Sequence, residues 1–72
     1  MNETATFLPA ENIVPGDRLI NRTRFDVTAH EVIEVWGGDQ ITIETLNSLG
    51  QTIQRHFRSV TPVEVIAADA DR

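Results

Sequence analysis

The residues of this sequence that could bind a metal ion are two histidines and the glutamates near one of them. His30, Glu31 and Glu34 lie close together, and His56 lies in a later segment. On a strand, His30 and Glu34 share a face, and His56 could approach from a neighbouring part of the sheet. Zinc requires three or four convergent ligands, and nothing in this spacing enforces convergence. We therefore predict no metal site and interpret these residues as surface or cross-strand polar residues.

The sequence carries no motif for catalysis or for cofactor binding. It has no nucleophile elbow, no phosphate-binding glycine loop, no dinucleotide fingerprint and no cysteine. Carboxylate pairs arise by chance in a chain with 11 acidic residues, so such a pair is not evidence of hydrolysis. A chain of 72 residues also leaves little volume for a substrate pocket. We predict that the protein is not an enzyme, with no catalytic residue, no cofactor-binding residue and no cofactor.

The totals predict one small acidic domain. The 72 residues suffice for a single domain, predicted at residues 8–66, between a flexible N-terminus at 1–7 and a flexible C-terminal tail at 67–72. The net charge of −5 disfavours nucleic acid, because an acidic chain repels a phosphate backbone at long range. No apolar run approaches 18 residues, which predicts no membrane span. The N-terminus lacks the positive charge of a secretory signal, so we expect a cytoplasmic protein.

The basic residues are all arginines, and most of them fall into two groups. Residues 25–54 contain five acids and no Lys or Arg. One group comprises Arg18, Arg22 and Arg24, and the other comprises Arg55 and Arg58 beside His56. If the first and fourth strands lie near one another, these groups form a basic strip that could bind an acidic protein or a nucleic-acid backbone. The alternative is a solvated face whose arginines pair with acids of the same chain.

Two places have the composition of an interface. Arg22 to Asp26 places arginines and Phe25 in a connection with nothing obvious to bury them. Trp36 precedes Gly37-Gly38 at a hairpin mouth, where it either caps the core or is exposed as a binding hot spot. The predicted partner-binding residues are Arg22, Arg24, Phe25 and Trp36, with Arg55 and Arg58 as electrostatic support.

The elements that must position these residues begin at a turn. In Val14-Pro15-Gly16-Asp17, proline presets φ at the second turn position, and glycine accepts the positive φ of a type II turn at the third. Proline also forbids a helix through Val14. We therefore predict that one extended segment ends at Val14 and that a strand begins at Arg18.

The remaining sequence alternates between short strands and turns. Predicted strands cover residues 27–36, 40–46, 51–57 and 63–66, with turns at 37–39 and 47–50 and a break at 59–62. In residues 40–46, Ile41 and Ile43 point to one side. The alternation in residues 27–36 is imperfect, which either a bulge near His30-Glu31 or burial on both faces at one end of the strand would explain. A helix is the competing prediction for that segment. Gly50 is expected to adopt a left-handed conformation.

These elements predict an all-β fold, a small five-stranded SH3-like barrel made from four to six short antiparallel strands. At most a single helical turn is expected, before the last strand. Closure into a barrel is favoured because it removes exposed edges.

The order of Pro15-Gly16-Asp17, residues 32–35, residues 41–43 and Pro62-Val63-Glu64-Val65 resembles the SH3-like small barrels. It is also similar to short uncharacterised bacterial and bacteriophage proteins with the same pattern. The resemblance covers residues 11–66 and implies a fold, not an activity. Peptide-binding SH3 domains have a Tyr-rich groove, and this chain has no Tyr; KOW-type barrels are basic, and this chain is acidic.

The functional prediction is a non-catalytic protein-interaction module. The expected protein is a small accessory or regulatory protein that binds another protein, or itself as a homo-oligomer. A bacteriophage is one expected source. The alternative is a nucleic-acid-binding barrel that uses the arginines for phosphates and Phe25, Trp36 or Phe57 for stacking. A further alternative is a small structural component of a virion.

Overall fold

The computed structural model of the protein describes residues 4–68. Over those residues the chain forms six antiparallel strands in one sheet and a single turn of 3-10 helix, so the predicted small, barrel-like all-β fold is confirmed. The strands are β1 Thr6–Pro9, β2 Arg18–Arg22, β3 Val27–Gly37, β4 Gln40–Leu46, β5 Thr52–Arg58 and β6 Pro62–Ile66, and the 3-10 turn is Ala10–Asn12.

The strand order is β1-β6-β2-β3-β4-β5. Strands β2 to β5 are neighbours in sequence and in space, whereas β6 returns across the fold to pair with β2, and β1 adds outside β6. The 3-10 turn lies against the turn between β5 and β6. There the N–H of Ala10 donates to the carbonyl oxygen of Thr61 at 3.0 Å, and the N–H of Glu11 donates to that of Ser59 at 3.0 Å. The chain after β1 is thus tied to the turn after β5, which curves the sheet toward closure.

Two details of the chain ends differ from the prediction. β1 begins at Thr6, inside the stretch 1–7 that was expected to be flexible, because Thr6 to Pro9 pair in register with β6. The helical turn follows β1 instead of preceding the last strand, where a tight turn closes with a 3.0 Å bond from the N–H of Thr61 to the carbonyl of Arg58. Of the predicted flexible ends, residues 1–3 and 69–72 lie outside the described residues, and Ala68 in the predicted tail donates its N–H to the Asp17 carboxylate at 2.9 Å.

The core lies on one face of the sheet. β4 alternates as predicted: Ile41 and Ile43 are buried, while Thr42 and Glu44 are half-buried on the other face. The other buried apolar residues come from the 3-10 turn, the segment after it, β2, β3 and β6; they are Ala10, Ile13, Leu19, Val32, Val63 and Val65. So small a core stabilises a domain only marginally, which makes well-satisfied turns important here.

β3 is a strand throughout, so the competing helix is excluded. It contains the predicted bulge, but at Ile33 instead of His30-Glu31: Val32 pairs with Thr45, and the next pair joins Glu34 to Glu44. The extra residue reverses the alternation along the strand. Consequently His30 and Glu34 lie on opposite faces, and the expectation that they share a face is wrong.

The Pro-Gly-Asp corner has the predicted turn geometry. Gly16 has φ of 99°, and the N–H of Asp17 donates to the carbonyl of Val14 at 3.2 Å. Asp17 is completely buried, and its carboxylate accepts bonds from the N–H of Val14 at 3.1 Å and of Ala68 at 2.9 Å. Backbone bonds of 2.9 and 2.8 Å join Gly16 and Asp17 to Val32 in β3. One turn therefore fastens three parts of the chain.

Glycine is required at a second corner, between β3 and β4. Gly37 has φ of 124°, and a Cβ there would lie 2.1 Å from the carbonyl oxygen of Gln40. No side chain fits that space, so the hairpin after Trp36 depends on this glycine. In the next hairpin, Gly50 has the predicted positive φ, 79°.

Candidate interaction surfaces

The loop between β2 and β3 is held rigidly by its own hydrogen bonds. The N–H of Thr23 donates to the carbonyl of Asp26 at 2.8 Å. The Thr23 hydroxyl accepts from the N–H groups of Phe25 at 3.3 Å and Asp26 at 3.0 Å, and donates to the Asp26 carbonyl at 3.2 Å. The Asp26 carboxylate accepts from the N–H of Val27 at 2.8 Å. We call residues 23–26 the hairpin tip.

Phe25 projects from this tip into solvent. It is 89% exposed, more than any other large apolar residue among residues 4–68. The guanidinium carbon of Arg24 lies 5.9 Å from the centre of its ring, within the range of a cation–π contact. A rigid loop that exposes an aromatic ring loses little conformational freedom on binding, which is a property of interface anchors. The structure thus places both predicted residues on one surface.

Arg22, at the base of the same hairpin, is engaged within the chain. Its Nε and Nη2 donate to the two carboxylate oxygens of Glu64 at 2.6 and 2.8 Å. The hydrogen bond from Arg22 lowers the pKa of Glu64, and the bond to Glu64 raises the pKa of Arg22. Backbone pairing between β2 and β6 is limited to Arg18 and Leu19, so this ion pair extends the contact of the two strands. Arg22 therefore positions the hairpin.

Trp36 lies at the opposite end of β3 from the hairpin tip. It is 42% exposed and sits on the outer face of the sheet beside Thr42, whose Oγ1 is 2.9 Å from Nδ1 of His56. Trp36 is nine positions after Val27 on the strand, which corresponds to at most about 30 Å. Phe25 and Trp36 therefore do not belong to one contact patch.

The predicted basic strip is not formed by neighbouring strands. β2 and β5 are separated by β3 and β4, so the arginines of the first group do not adjoin those of the second. On β5, Arg55 pairs in register with the inward-facing Ile43, whereas Arg58 pairs with Gln40 on the outer side. The Arg55 guanidinium carbon lies 5.6 Å from the ring centre of Phe57. The two arginines of β5 thus lie on different faces of the sheet.

The histidines do not converge. His30 faces inward opposite Leu19, and His56 faces outward opposite Thr42. Within residues 4–68, no group of three or more His, Cys, Asp or Glu side chains is arranged to hold a metal ion. In the same part of the chain, no helix is long and apolar enough to cross a membrane.

The sequence reasoning missed the exposed edge of β5. Ile53 and Phe57 lie on the core face of the sheet, yet Ile53 is 42% exposed because β5 ends the sheet. The available signal was chemical: residues 51–58 contain no acid and no proline. Which strand forms an edge depends on long-range pairing, which that pattern does not reveal.

Comparison with known proteins leaves the family open. No protein-family model matches the chain, and no curated protein or solved structure is significantly similar to it. Function must therefore be argued from the chemistry of the surfaces themselves.

Proposed function

We propose that the protein is a non-catalytic interaction module that binds a partner protein, or a second copy of itself, through the hairpin tip. The observation that carries this proposal is the 89% exposure of Phe25 on a loop whose backbone is fixed by Thr23 and Asp26. Exposing an aromatic ring gains nothing for the folded monomer, whereas burying it in a partner stabilises the complex. We place this activity in the cytoplasm.

Arg24 supplies the polar part of the same surface. Its guanidinium lies against the Phe25 ring and is not in an ion pair with any residue of 4–68. Aromatic residues, phenylalanine included, and arginine are enriched in the buried cores of protein interfaces. The partner surface that complements this pair is an apolar pocket with a carboxylate at its rim.

A second candidate function is nucleic-acid binding, and one observation favours it. On β5, the Arg55 guanidinium lies against the Phe57 ring, and such a pair can contact a phosphate and stack on a base. The net charge of −5 opposes this function. It predicts an affinity that falls steeply between low and physiological salt and that weakens on any nucleic-acid sequence when Arg55 or Arg58 is removed.

Photocrosslinking tests the proposed function directly. A photoreactive phenylalanine analogue at position 25 should crosslink to one protein in the source cells, or to a second copy of this chain. The same analogue at position 49 is the matched control, because Leu49 is 81% exposed on the β4–β5 loop. Equal crosslinking from both positions, or adducts that nuclease treatment removes, would contradict the proposal.

The variant Phe25→Ser should abolish capture of that crosslinked partner, whereas Leu49→Ser should preserve it. Both substitutions replace exposed apolar side chains, so we expect each to change the free energy of unfolding by less than about 0.5 kcal/mol. Urea denaturation checks that expectation. Retained capture by Phe25→Ser would show that the hairpin tip is not the binding surface.

A further inference from the structure

The sheet has two edges, and they differ in how well they are protected. β1 is four residues long and ends at Pro9, which lacks a backbone N–H. β5 is seven residues long, contains no proline, and pairs with β4 alone among the described strands. Short length and proline are ways in which proteins prevent strands from adding to a sheet edge. β5 lacks both and is protected only by its charges, chiefly that of the inward-facing Arg55, so its outer backbone groups are open to a strand that compensates this charge.

The core-facing side of β5 gives this edge a specific chemistry. Ile53, Arg55 and Phe57 alternate on that side, opposite Thr45, Ile43 and Ile41 of β4. Phe57 packs against the core, and Ile53 is 42% exposed. Arg55 is exposed between them, and no carboxylate within residues 4–68 forms an ion pair with it. The edge therefore presents two apolar positions that flank one positive charge.

We propose that β5 binds an extended segment of a partner protein as a seventh, antiparallel strand. The segment carries an acidic residue opposite Arg55 and apolar residues opposite Ile53 and Phe57. Backbone hydrogen bonds supply affinity, and the alternating side chains supply specificity. The two apolar residues extend the core that β5 leaves partly open, and the carboxylate neutralises a charge that pairs with no carboxylate of residues 4–68. This inference rests on the proposed role as an interaction module, and it adds a second surface with a defined partner class.

A second copy of the chain fits this edge poorly. If two β5 strands pair so that Ile53 faces Phe57, Arg55 faces Arg55, and like charges directly opposite each other are destabilising. β5 contains no acidic residue in any register that could compensate. An acidic segment of another protein is therefore the occupant that the charges favour.

A peptide titration tests the proposal without the unidentified partner. The probe is the blocked peptide TITETVT, whose central glutamate falls opposite Arg55 in the proposed register; the control is TITKTVT. In amide-resolved NMR of the full chain, TITETVT should shift the resonances of residues 52–58 and bind at least about fivefold more tightly than TITKTVT. No shift in β5 at millimolar peptide, or equal affinity for both peptides, would overturn the proposal.

Charge exchange and N-methylation establish the mode of binding. Arg55→Glu should reverse the preference, so that TITKTVT binds more tightly, and the dispersion of the spectrum confirms that the variant is folded. Only every second amide of an added strand faces β5. N-methylation of the odd-numbered residues of the peptide and N-methylation of its even-numbered residues should therefore have opposite results, with one set abolishing binding and the other preserving it. Loss of binding with both methylated peptides, or with neither, would refute strand addition. β5 resonances that shift with protein concentration alone would also refute it.

This assay separates the inference from the proposed function. The variant Phe25→Ser should bind TITETVT as the unaltered chain does, because the hairpin tip contributes nothing to the β5 edge. A failed peptide titration with a successful Phe25 crosslink refutes only the edge. The reverse result refutes only the tip.

Discussion

Two turns of this small protein use their hydrogen bonds for opposite purposes. At the Pro-Gly-Asp corner, the buried side chain of Asp17 accepts hydrogen bonds from Val14 and from Ala68, which lies 51 residues after Asp17. At the hairpin tip, the bonds of Thr23 and Asp26 stay within the loop, and the neighbouring Phe25 faces solvent. The first turn connects distant segments, and the second only fixes its own shape.

The difference separates stability from binding. A buried polar group with all its hydrogen bonds made stabilises the fold, because removing it leaves its buried partners without hydrogen bonds. An exposed apolar group on a fixed loop contributes almost nothing to the fold, so its placement is informative about binding. Substitutions at the corner should therefore lower the free energy of unfolding by more than substitutions at the tip.

Removing the Asp17 carboxylate should have the largest effect. Asp17→Ala leaves the N–H groups of Val14 and Ala68 without their acceptor, and we expect a loss of about 3 kcal/mol. Asp26→Ala is the matched control, because within residues 4–68 the Asp26 carboxylate bonds only to the exposed N–H of Val27, and its cost should be below about 1 kcal/mol. Urea denaturation of both variants measures the difference. Equal losses would show that the corner has no special role.

The second-largest loss of stability should follow a change to the backbone conformation of the corner. Gly16→Ala places a Cβ 3.6 Å from that of Ala68, an ordinary contact, so its cost comes from φ of 99° and should be about 1–2 kcal/mol. Gly38→Ala provides the control, since Gly38 has no positive φ and a Cβ there meets no atom within 4 Å. Thermal unfolding of the two variants distinguishes them. A Gly16→Ala protein as stable as Gly38→Ala would mean that the turn relaxes without cost.

The local part of the corner was predictable from sequence, and the distant part was not. Proline and glycine at adjacent turn positions predict the turn, because φ is a property of the residue itself. Alternation likewise identified Ile41 and Ile43 as buried. The bond from Ala68 to Asp17 depends on the return of β6 to β2, which no local pattern encodes.

The candidate surfaces divide in the same way. The exposure of Arg24 and Phe25 could be predicted from residue type and position, because a short connection between strands offers few neighbours to bury an arginine or an aromatic ring. The position of Trp36 required the register of β3, where one extra residue at Ile33 reverses the faces. To predict that Arg22 and Arg55 lie apart, one must know the order of the strands in the sheet.

Loosening the hairpin tip should have a smaller effect than either change at the corner. Thr23→Val removes the hydroxyl that bonds to Phe25 and Asp26, and we expect a loss of about 0.5–1 kcal/mol. The amide hydrogens of these two residues should then exchange faster, while those of the corner are unaffected. Thr23→Ser keeps the hydroxyl and should behave as the unaltered chain. Faster exchange at Asp17 as well would show that the two turns are coupled.

The smallest expected effect concerns the ion pair at the base of the hairpin. The bond from Arg22 lowers the pKa of Glu64, so the pair stabilises the folded state above the ordinary glutamate pKa of about 4.3. That contribution is lost as the pH falls through the lowered pKa of the folded state. The difference in unfolding free energy between the unaltered chain and Glu64→Gln should therefore be constant near neutral pH and shrink in acid.

The pH dependence distinguishes the ion pair from simple packing of its side chains. The Arg22 side chain is 59% exposed, so salt should weaken its attraction to Glu64. Arg22 stays protonated throughout the acidic range, and the loss must follow the carboxylate alone. Glu11→Gln is the control, because Glu11 is exposed and forms no ion pair within residues 4–68. A Glu64→Gln difference that is independent of pH and salt would mean that β2 and β6 are held there by packing, and that the hairpin is positioned without its charges.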